Sequence, residues 1–129
     1  MLVSCAPEVD DETALRQALD HMQALSEQRE SGELLEYFAD DFIGNPGNYD
    51  LDRFSQLVRG AIMLNKRITV TISNVEVQLI EDRATVTCNV LLTGSGGRMI
   101  PERGRLYTVE SGWRLGDQGW KIIQANWNG

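Results

Sequence analysis

Few side chains in this sequence can move a proton near neutral pH, and they are far apart. His21 is the only histidine, and Asp40 and Asp41 form an adjacent carboxylate pair. A histidine or a carboxylate held in a pocket can act as a general acid or base. No spacing supports a Ser-His-Asp or Cys-His arrangement, and one histidine cannot make a histidine-rich metal site. We expect no metal or cofactor, and His21 and Asp41 are the candidates for catalysis.

Each candidate also fits a purely structural role. His21 directly precedes the apolar residue Met22 in a segment with helical periodicity, which is typical of a solvated or half-packed helix residue. Asp40 and Asp41 follow a predicted helix and are typical of a polar, solvent-exposed segment at a helix end. The residue types alone therefore do not establish catalysis.

Three segments with helical periodicity come first in the chain. Apolar residues recur every three or four positions from Asp10 to about Glu30, which predicts an amphipathic helix with acidic residues at its start. Glu33 to Phe38 predicts a short second helix. Asp50 is a suitable N-cap for a third helix that extends to about Leu64.

The apolar period changes to two after Arg67, which predicts β-strands. The alternation changes phase near Ser73-Asn74, as a β-bulge or sharp bend would require. A return strand follows from Ala84 to Leu92, and residues 93–102 have the composition of a loop. Residues 103–127 predict a hairpin with a glycine-bracketed turn.

In the last predicted strand, alternation separates two sets of residues. Ile123, Ala125 and Trp127 fall on one face, and the opposite face carries Trp120, Ile122, Gln124 and Asn126. Both faces are partly apolar, so we expect the helices to cover one of them. Parity does not say which face is covered.

Size and charge limit the function. With 129 residues the chain fits one domain, and we expect this domain to extend over residues 11–129. The formal net charge is −7, which disfavours nucleic acid as a partner because phosphate binding needs clustered Lys and Arg.

The two cysteines lie in different contexts. Cys88 falls within a predicted strand and is typical of a small buried hydrophobe. The segment Leu2-Val3-Ser4-Cys5 resembles the end of a bacterial lipoprotein signal, in which the cysteine thiol receives the lipid, although a basic region and most of an apolar region are missing. Residues 1–10 would then be a signal remnant and tether, and the protein a periplasmic lipoprotein. A chance match and a cytoplasmic location are the alternative.

The order of predicted elements, three helices and then four long strands, leads to a family resemblance. Together with DFI…NP after the second helix and GWRL…GDQGWKI near the end, it resembles the nuclear transport factor 2-like superfamily. This superfamily includes ketosteroid isomerases, scytalone dehydratase and SnoaL-type polyketide cyclases, and the resemblance covers residues 11–127. It implies a cone-shaped α+β fold, with three N-terminal helices packed on a curved antiparallel sheet.

The same resemblance implies a pocket between the helices and the sheet. Ketosteroid isomerase-like members carry an aspartate base in a segment of the form ADDATVEDP. The nearest match here is Ala39 to Pro46, where Asn45 precedes the proline, and an amide cannot accept a proton at neutral pH. We expect a small hydrophobic ligand to be bound by polar and aromatic residues: Tyr37, Asn45, Tyr107, Trp120, Gln124 and Asn126.

Tyrosine, glutamine and tryptophan on a sheet face also suit a dimer interface, which relatives commonly form. Three functions therefore stay open. The first is non-catalytic binding of a small ligand or a partner in the cell envelope. The second is a SnoaL-like isomerase, cyclase or dehydratase that uses His21 or an aspartate, and the third is a structural dimerisation module. The missing base favours binding.

Overall fold

A mixed β-sheet with helices against one face forms the framework of the protein. The computed structural model describes residues 10–95 and 104–128. Within these residues the elements are, in chain order, α1 (Asp11–Glu27), α2 (Ser31–Leu35), β1 (Phe38–Gly44), β2 (Tyr49–Asp50), α3 (Leu51–Leu64), β3 (Ile68–Ile80), β4 (Arg83–Gly94), β5 (Arg105–Gly116) and β6 (Gly119–Asn128). No helix in the described part of the chain is long and apolar enough to cross a membrane.

Side-chain caps fix where the two longer helices begin. The Asp50 carboxylate accepts a hydrogen bond of 2.8 Å from the Arg53 backbone N–H, which confirms the predicted cap of α3. Asp10 caps α1 in the same way through Thr13 N–H at 2.7 Å. The short helix α2 ends at Leu35 rather than at the predicted Phe38, because Phe38 already begins a strand.

The sheet has six strands within the described residues, in the order β2-β1-β6-β5-β4-β3. Strand β1 pairs with β6 in parallel, and the other neighbours are antiparallel. The predicted four-stranded, wholly antiparallel sheet is therefore wrong in strand number and in direction. Strand β1 escaped prediction because the pair Asp40-Asp41 and a register shift between Phe38 and Ile43 remove its alternation.

The predicted phase change in β3 is confirmed. The β3–β4 register shifts between Ser73 and Glu76, and Asn74 has a φ of 53°, in the left-handed region that asparagine tolerates. Helix α1 supplies partners to this edge strand before the shift, at Val70, and within it, at Val75. The Glu27 carboxylate accepts from Val70 N–H at 2.9 Å, and the Arg16 guanidinium donates to the Val75 carbonyl at 3.4 Å.

A second bulge corrects the predicted faces of β6. Gly112 is opposite Gln124, whereas Trp113 is opposite Ile122, so Ile123 is an extra residue on β6. The bulge moves the next inward position one residue along the strand, from Gln124 to Ala125. As a result Trp120, Ile122, Ala125 and Trp127 all pack with the core, whereas Gln124 is exposed.

The centre of the core contains a buried hydrogen-bond chain. Trp113 is 0% exposed and packs among apolar side chains that include Leu15, Phe42 and Val86. Its indole Nε1–H donates to Ser111 Oγ at 2.8 Å, and that hydroxyl donates to the Val86 carbonyl at 3.1 Å. The Ser111 hydroxyl therefore provides the hydrogen-bond acceptor that the Trp113 indole N–H needs, because the surrounding core keeps water away from it.

We expect Ser111→Ala to lower the free energy of unfolding by about 1–3 kcal/mol, because it leaves the buried indole N–H without an acceptor. Urea denaturation followed by tryptophan fluorescence measures the change. Thr108→Ala is the matched control, because Thr108 is an exposed hydroxyl residue on the same strand, and its effect should stay within about 0.5 kcal/mol. Equal effects of the two substitutions would contradict the role assigned to Ser111.

Candidate functional site

The inner face of the sheet and the helices enclose a cavity of about 340 Å³. Its walls come from the helices α1, α2 and α3, from the start of β1 and from the inward residues of strands β3 to β6. The lining residues are Leu19, Met22, Gln23, Ser26, Leu34, Phe38, Phe54, Leu57, Val58, Ala61, Val70, Ile72, Cys88, Val90, Leu92, Tyr107, Val109, Ser111, Trp113, Ile122, Ala125 and Trp127. Trp113 and Ile122 are buried, whereas Leu57, Leu92 and Tyr107 are partly exposed, so the cavity is open to solvent on one side.

Only a few of the lining side chains are polar, and some of these are already engaged. Ser26 Oγ donates to the Met22 carbonyl at 2.8 Å, and Ser111 Oγ is used by Trp113 and Val86. The Gln23 amide, the Tyr107 hydroxyl and the Trp127 indole N–H have no hydrogen-bond partner among the described residues. These three groups are therefore available to a bound molecule.

Among the described residues, no Asp, Glu, His, Lys or Arg lines the cavity. The described residues also contain no group of three or more His, Cys, Asp or Glu side chains that could hold a metal ion. Outside the lining, the Arg105 guanidinium lies 5.5 Å from the centre of the Tyr107 ring in a cation–π contact. The described lining of the cavity is uncharged.

Cys88 is a buried lining residue, as predicted for a small hydrophobe. Burial raises the pKa of its thiol above the usual value. The thiol therefore stays protonated at neutral pH, where only the thiolate is a good nucleophile. Cys5 lies outside the described residues.

The catalytic candidate His21 is exposed and does not line the cavity. Its Nδ1 lies 2.6 Å from the Tyr37 hydroxyl, and the two rings meet edge to face with centroids 5.6 Å apart. Burial raises the pKa of Tyr37, so its hydroxyl stays protonated. Tyr37, predicted to bind ligand, instead packs against the core and holds the histidine on the surface of α1.

The second candidate, Asp41, lies on the outer face of the sheet. The Arg114 guanidinium donates to both of its carboxylate oxygens, at 3.1 and 3.0 Å. These hydrogen bonds hold the pKa of Asp41 below its usual value. The carboxylate is thus a fixed surface anion across the sheet from the cavity and is not placed to take a proton from a molecule bound there.

Asn45 joins the end of β1 to β6. Its backbone N–H donates to the Ala125 carbonyl, and its side-chain Oδ1 accepts from Trp127 N–H, both at 2.8 Å. Its φ of 37° is in the left-handed region. Asn45 does not line the cavity, but it positions Trp127, which does.

The remaining predicted ligand residues lie in different parts of the structure: the cavity, the core and the outer face of the sheet. Tyr107 lines the cavity. Trp120 is buried in the core, where its indole N–H donates to Asp11 at 3.3 Å. Gln124 and Asn126 do not line the cavity, because the bulge at Ile123 turns them to the outer face. The sequence reasoning missed Gln23, since an amide on an amphipathic helix is typical of a solvated position.

A second hollow of about 670 Å³ lies near α2 and the start of β1. It is more open and has charged walls that include Glu36, Asp40 and Lys121. The Lys121 ammonium is engaged there by the Glu36 carbonyl. We assign the candidate site to the apolar cavity, because burial of apolar surface supplies most of the free energy of binding for small organic ligands.

Two substitutions test whether Asn45 is a structural clamp. Asn45→Ala removes the acceptor for Trp127 N–H and places alanine at a positive φ, and we expect it to lower the free energy of unfolding by about 1–3 kcal/mol. Asn45→Asp keeps an acceptor oxygen and tolerates the same backbone, so its loss should be less than half as large. Urea denaturation of both variants gives the comparison, and a larger loss for Asn45→Asp would contradict the clamp.

Comparison with known protein families gives one match, the SnoaL-like domain, over residues 7–126. A comparison with curated proteins finds no match.

Solved structures with the same fold include proteins from several bacteria. A Bdellovibrio bacteriovorus protein, Bd1075, has a TM-score of 0.77 at 10% identity, with 89% of this chain covered but only 40% of that chain. A candidate scytalone dehydratase from Novosphingobium aromaticivorans has a TM-score of 0.73 at 16% identity, covering 89% and 80% of the two chains. A candidate dehydratase of the NTF2-like family from Streptomyces avermitilis has a TM-score of 0.72 at 16% identity, with 88% of this chain and 91% of that chain covered. At these identities the likeness shows a shared fold.

Proposed function

The chain belongs to the SnoaL-like family of the NTF2-like superfamily, and we propose that its cavity binds a small hydrophobic molecule without transforming it. One observation carries this proposal. The cavity of about 340 Å³ has apolar walls, and no ionisable carboxylate or imidazole among the described residues lines it. A site of this kind stabilises a ligand by excluding water, and its described lining offers no carboxylate or imidazole base to the ligand.

The size of the cavity supports a small organic ligand. Its volume falls in the range of about 300–1,000 Å³ that is common for pockets holding drug-sized molecules. Aromatic side chains from α3, β5 and β6, namely Phe54, Trp113 and Trp127, contribute flat surfaces. Each square ångström of apolar ligand surface buried against such walls is worth roughly 25 cal/mol.

The groups that could perform catalysis are engaged elsewhere. His21 is hydrogen-bonded to Tyr37 outside the cavity, and Asp41 is paired with Arg114 on the opposite face. The position before Pro46 is an amide that holds Trp127. The Cys88 thiol lines the cavity but stays protonated.

The alternative is a SnoaL-like isomerase, cyclase or dehydratase. The hydrogen bond of 2.6 Å between His21 and Tyr37 favours it, because such a pair can act in acid–base catalysis. Two of the similar structures are of candidate dehydratases. A ligand-bound crystal structure distinguishes the two functions, because catalysis requires a reacting atom of the ligand within about 3.5 Å of the imidazole.

Filling the cavity should prevent binding. We expect 9-methylanthracene, an apolar molecule of three fused rings, to quench the tryptophan fluorescence of the wild-type protein by energy transfer. Val109→Phe adds volume to a lining residue and should weaken this binding about tenfold or more, equivalent to about 1.4 kcal/mol.

Thr108→Phe is the matched control, because it adds an aromatic ring to the adjacent exposed position on β5. Its dissociation constant should stay within about twofold of wild type, since the ring faces away from the cavity. Circular dichroism verifies that both variants fold. Equal weakening by the two substitutions, or none by Val109→Phe, would place the probe outside the cavity.

We also propose that the outer face of the sheet forms a homodimer contact. Leu91 and Leu106 are cross-strand partners on β4 and β5 and are 39% and 57% exposed. They form an apolar pair on the outer face, whose neighbours are threonines and amides. Lipid attachment at Cys5 and a place in the cell envelope stay predictions from the sequence.

Leu106→Glu should convert a dimer to a monomer, because it places a charge opposite its own copy or against apolar surface. Analytical ultracentrifugation measures the oligomeric state of the wild-type protein and the variant. Ile80→Glu is the control, since Ile80 is 72% exposed at the end of the edge strand β3, away from this pair. A wild-type protein that sediments as a monomer at high micromolar concentration would refute the dimer.

A further inference from the structure

We infer that the cavity selects an uncharged ligand with one hydrogen-bond acceptor, which the Tyr107 hydroxyl binds. This inference rests on the proposed binding function and specifies its ligand. It follows from which lining groups are charged, which are already hydrogen-bonded and where the remaining ones lie.

An ionised ligand meets no counter-charge among the described residues that line the cavity. The lining residues of the described chain carry no ionised side chain. A carboxylate or an ammonium that enters such a site loses its hydration without a salt bridge to replace it, which is strongly unfavourable. The ligand that fits is therefore uncharged.

The available polar groups are neutral and few. The Ser26 and Ser111 hydroxyls donate hydrogen bonds to the Met22 and Val86 carbonyls, respectively. The Tyr107 hydroxyl, the Gln23 amide and the Trp127 indole N–H have no partner among the described residues, and they belong to different walls, β5, α1 and β6. A ligand group that reaches one of them gains a hydrogen bond in partly dehydrated surroundings.

Tyr107 acts chiefly as a donor. The Arg105 guanidinium lies 5.5 Å from the centre of the Tyr107 ring, on the face of its π-system. The positive charge beside the ring favours an electron-rich acceptor atom near the hydroxyl and disfavours a cationic ligand. The preferred ligand group is thus an acceptor oxygen such as a hydroxyl or a ketone.

The strand that carries Tyr107 also sets the ligand's orientation. Inward residues on a β-strand follow one another at about 7 Å, so the wall continues from Tyr107 through Val109 and Ser111 to Trp113. The indole N–H of Trp113 is already bonded to Ser111. An acceptor bound at Tyr107 therefore leaves the rest of the ligand against apolar surface.

Four anthracenes with the same skeleton test this inference: 9-methylanthracene, 9-anthracenemethanol, 9-anthracenecarboxylate and 9-(aminomethyl)anthracene in its ammonium form. Their dissociation constants come from energy transfer from tryptophan at pH 7. We expect the methanol compound to bind about fivefold tighter than the methyl compound. Both charged compounds should bind at least about tenfold more weakly than the methanol compound.

Tyr107→Phe should reduce the advantage of the methanol compound to less than about twofold and leave binding of the methyl compound unchanged. Tyr49→Phe is the matched control, because Tyr49 is also half-buried but does not line the cavity. Tyr49→Phe should leave the preference for 9-anthracenemethanol over 9-methylanthracene unchanged.

The outcomes separate this inference from the function on which it rests. If none of the four compounds binds, the proposed binding function is overturned. If 9-methylanthracene binds but Tyr107→Phe leaves the preference for the methanol compound intact, the role of Tyr107 is overturned. Carboxylate binding as tight as that of the methanol compound would refute the selection for uncharged ligands.

Discussion

One extra residue in strand β6 determines what the rest of the structure can be. Without the bulge at Ile123, strict alternation would turn Ala125 and Trp127 away from the core that Trp120 and Ile122 enter. With it, both halves of β6 contribute to the same face. The Asn45 clamp acts on the second half, where it fixes Trp127 N–H, and Trp127 packs on Phe54 of α3 at a centroid distance of 5.6 Å. The bulge therefore connects the sheet, the helix and the cavity wall.

The distribution of charge follows the same division between faces. The chain has a net charge of −7, yet the described lining of the cavity is uncharged. Asp41 and Arg114 form their ion pair on the outer face, where water screens it and supports both charges. Inside, the polar groups of the described lining are neutral, and two of them, Ser26 and Ser111, donate to backbone carbonyls. An interior of this kind favours recognition by shape and apolar area, with few directional contacts.

Sequence reasoning succeeded where local signals were strong. The cap at Asp50, helix α3 and the bend near Asn74 follow from short-range chemistry and long apolar repeats. Strand β1 was missed because its adjacent aspartates resemble a surface step, and its parallel pairing with β6 is a long-range contact that no local pattern encodes. Of the predicted ligand residues on the strands, Tyr107 lines the cavity, whereas Gln124 and Asn126 do not. The bulge that separates them is a feature of the partner register and is invisible in the amino-acid order alone.

Helix α1 does more than cover the core. By giving Val70 N–H and the Val75 carbonyl side-chain partners, it occupies backbone positions at the free border of the sheet where a strand from another molecule could add. Because α1 precedes β3 in the chain, the ribosome synthesises this helix before the edge strand whose backbone groups it occupies. A nascent chain thus already contains the means to prevent intermolecular strand addition when its most vulnerable strand emerges.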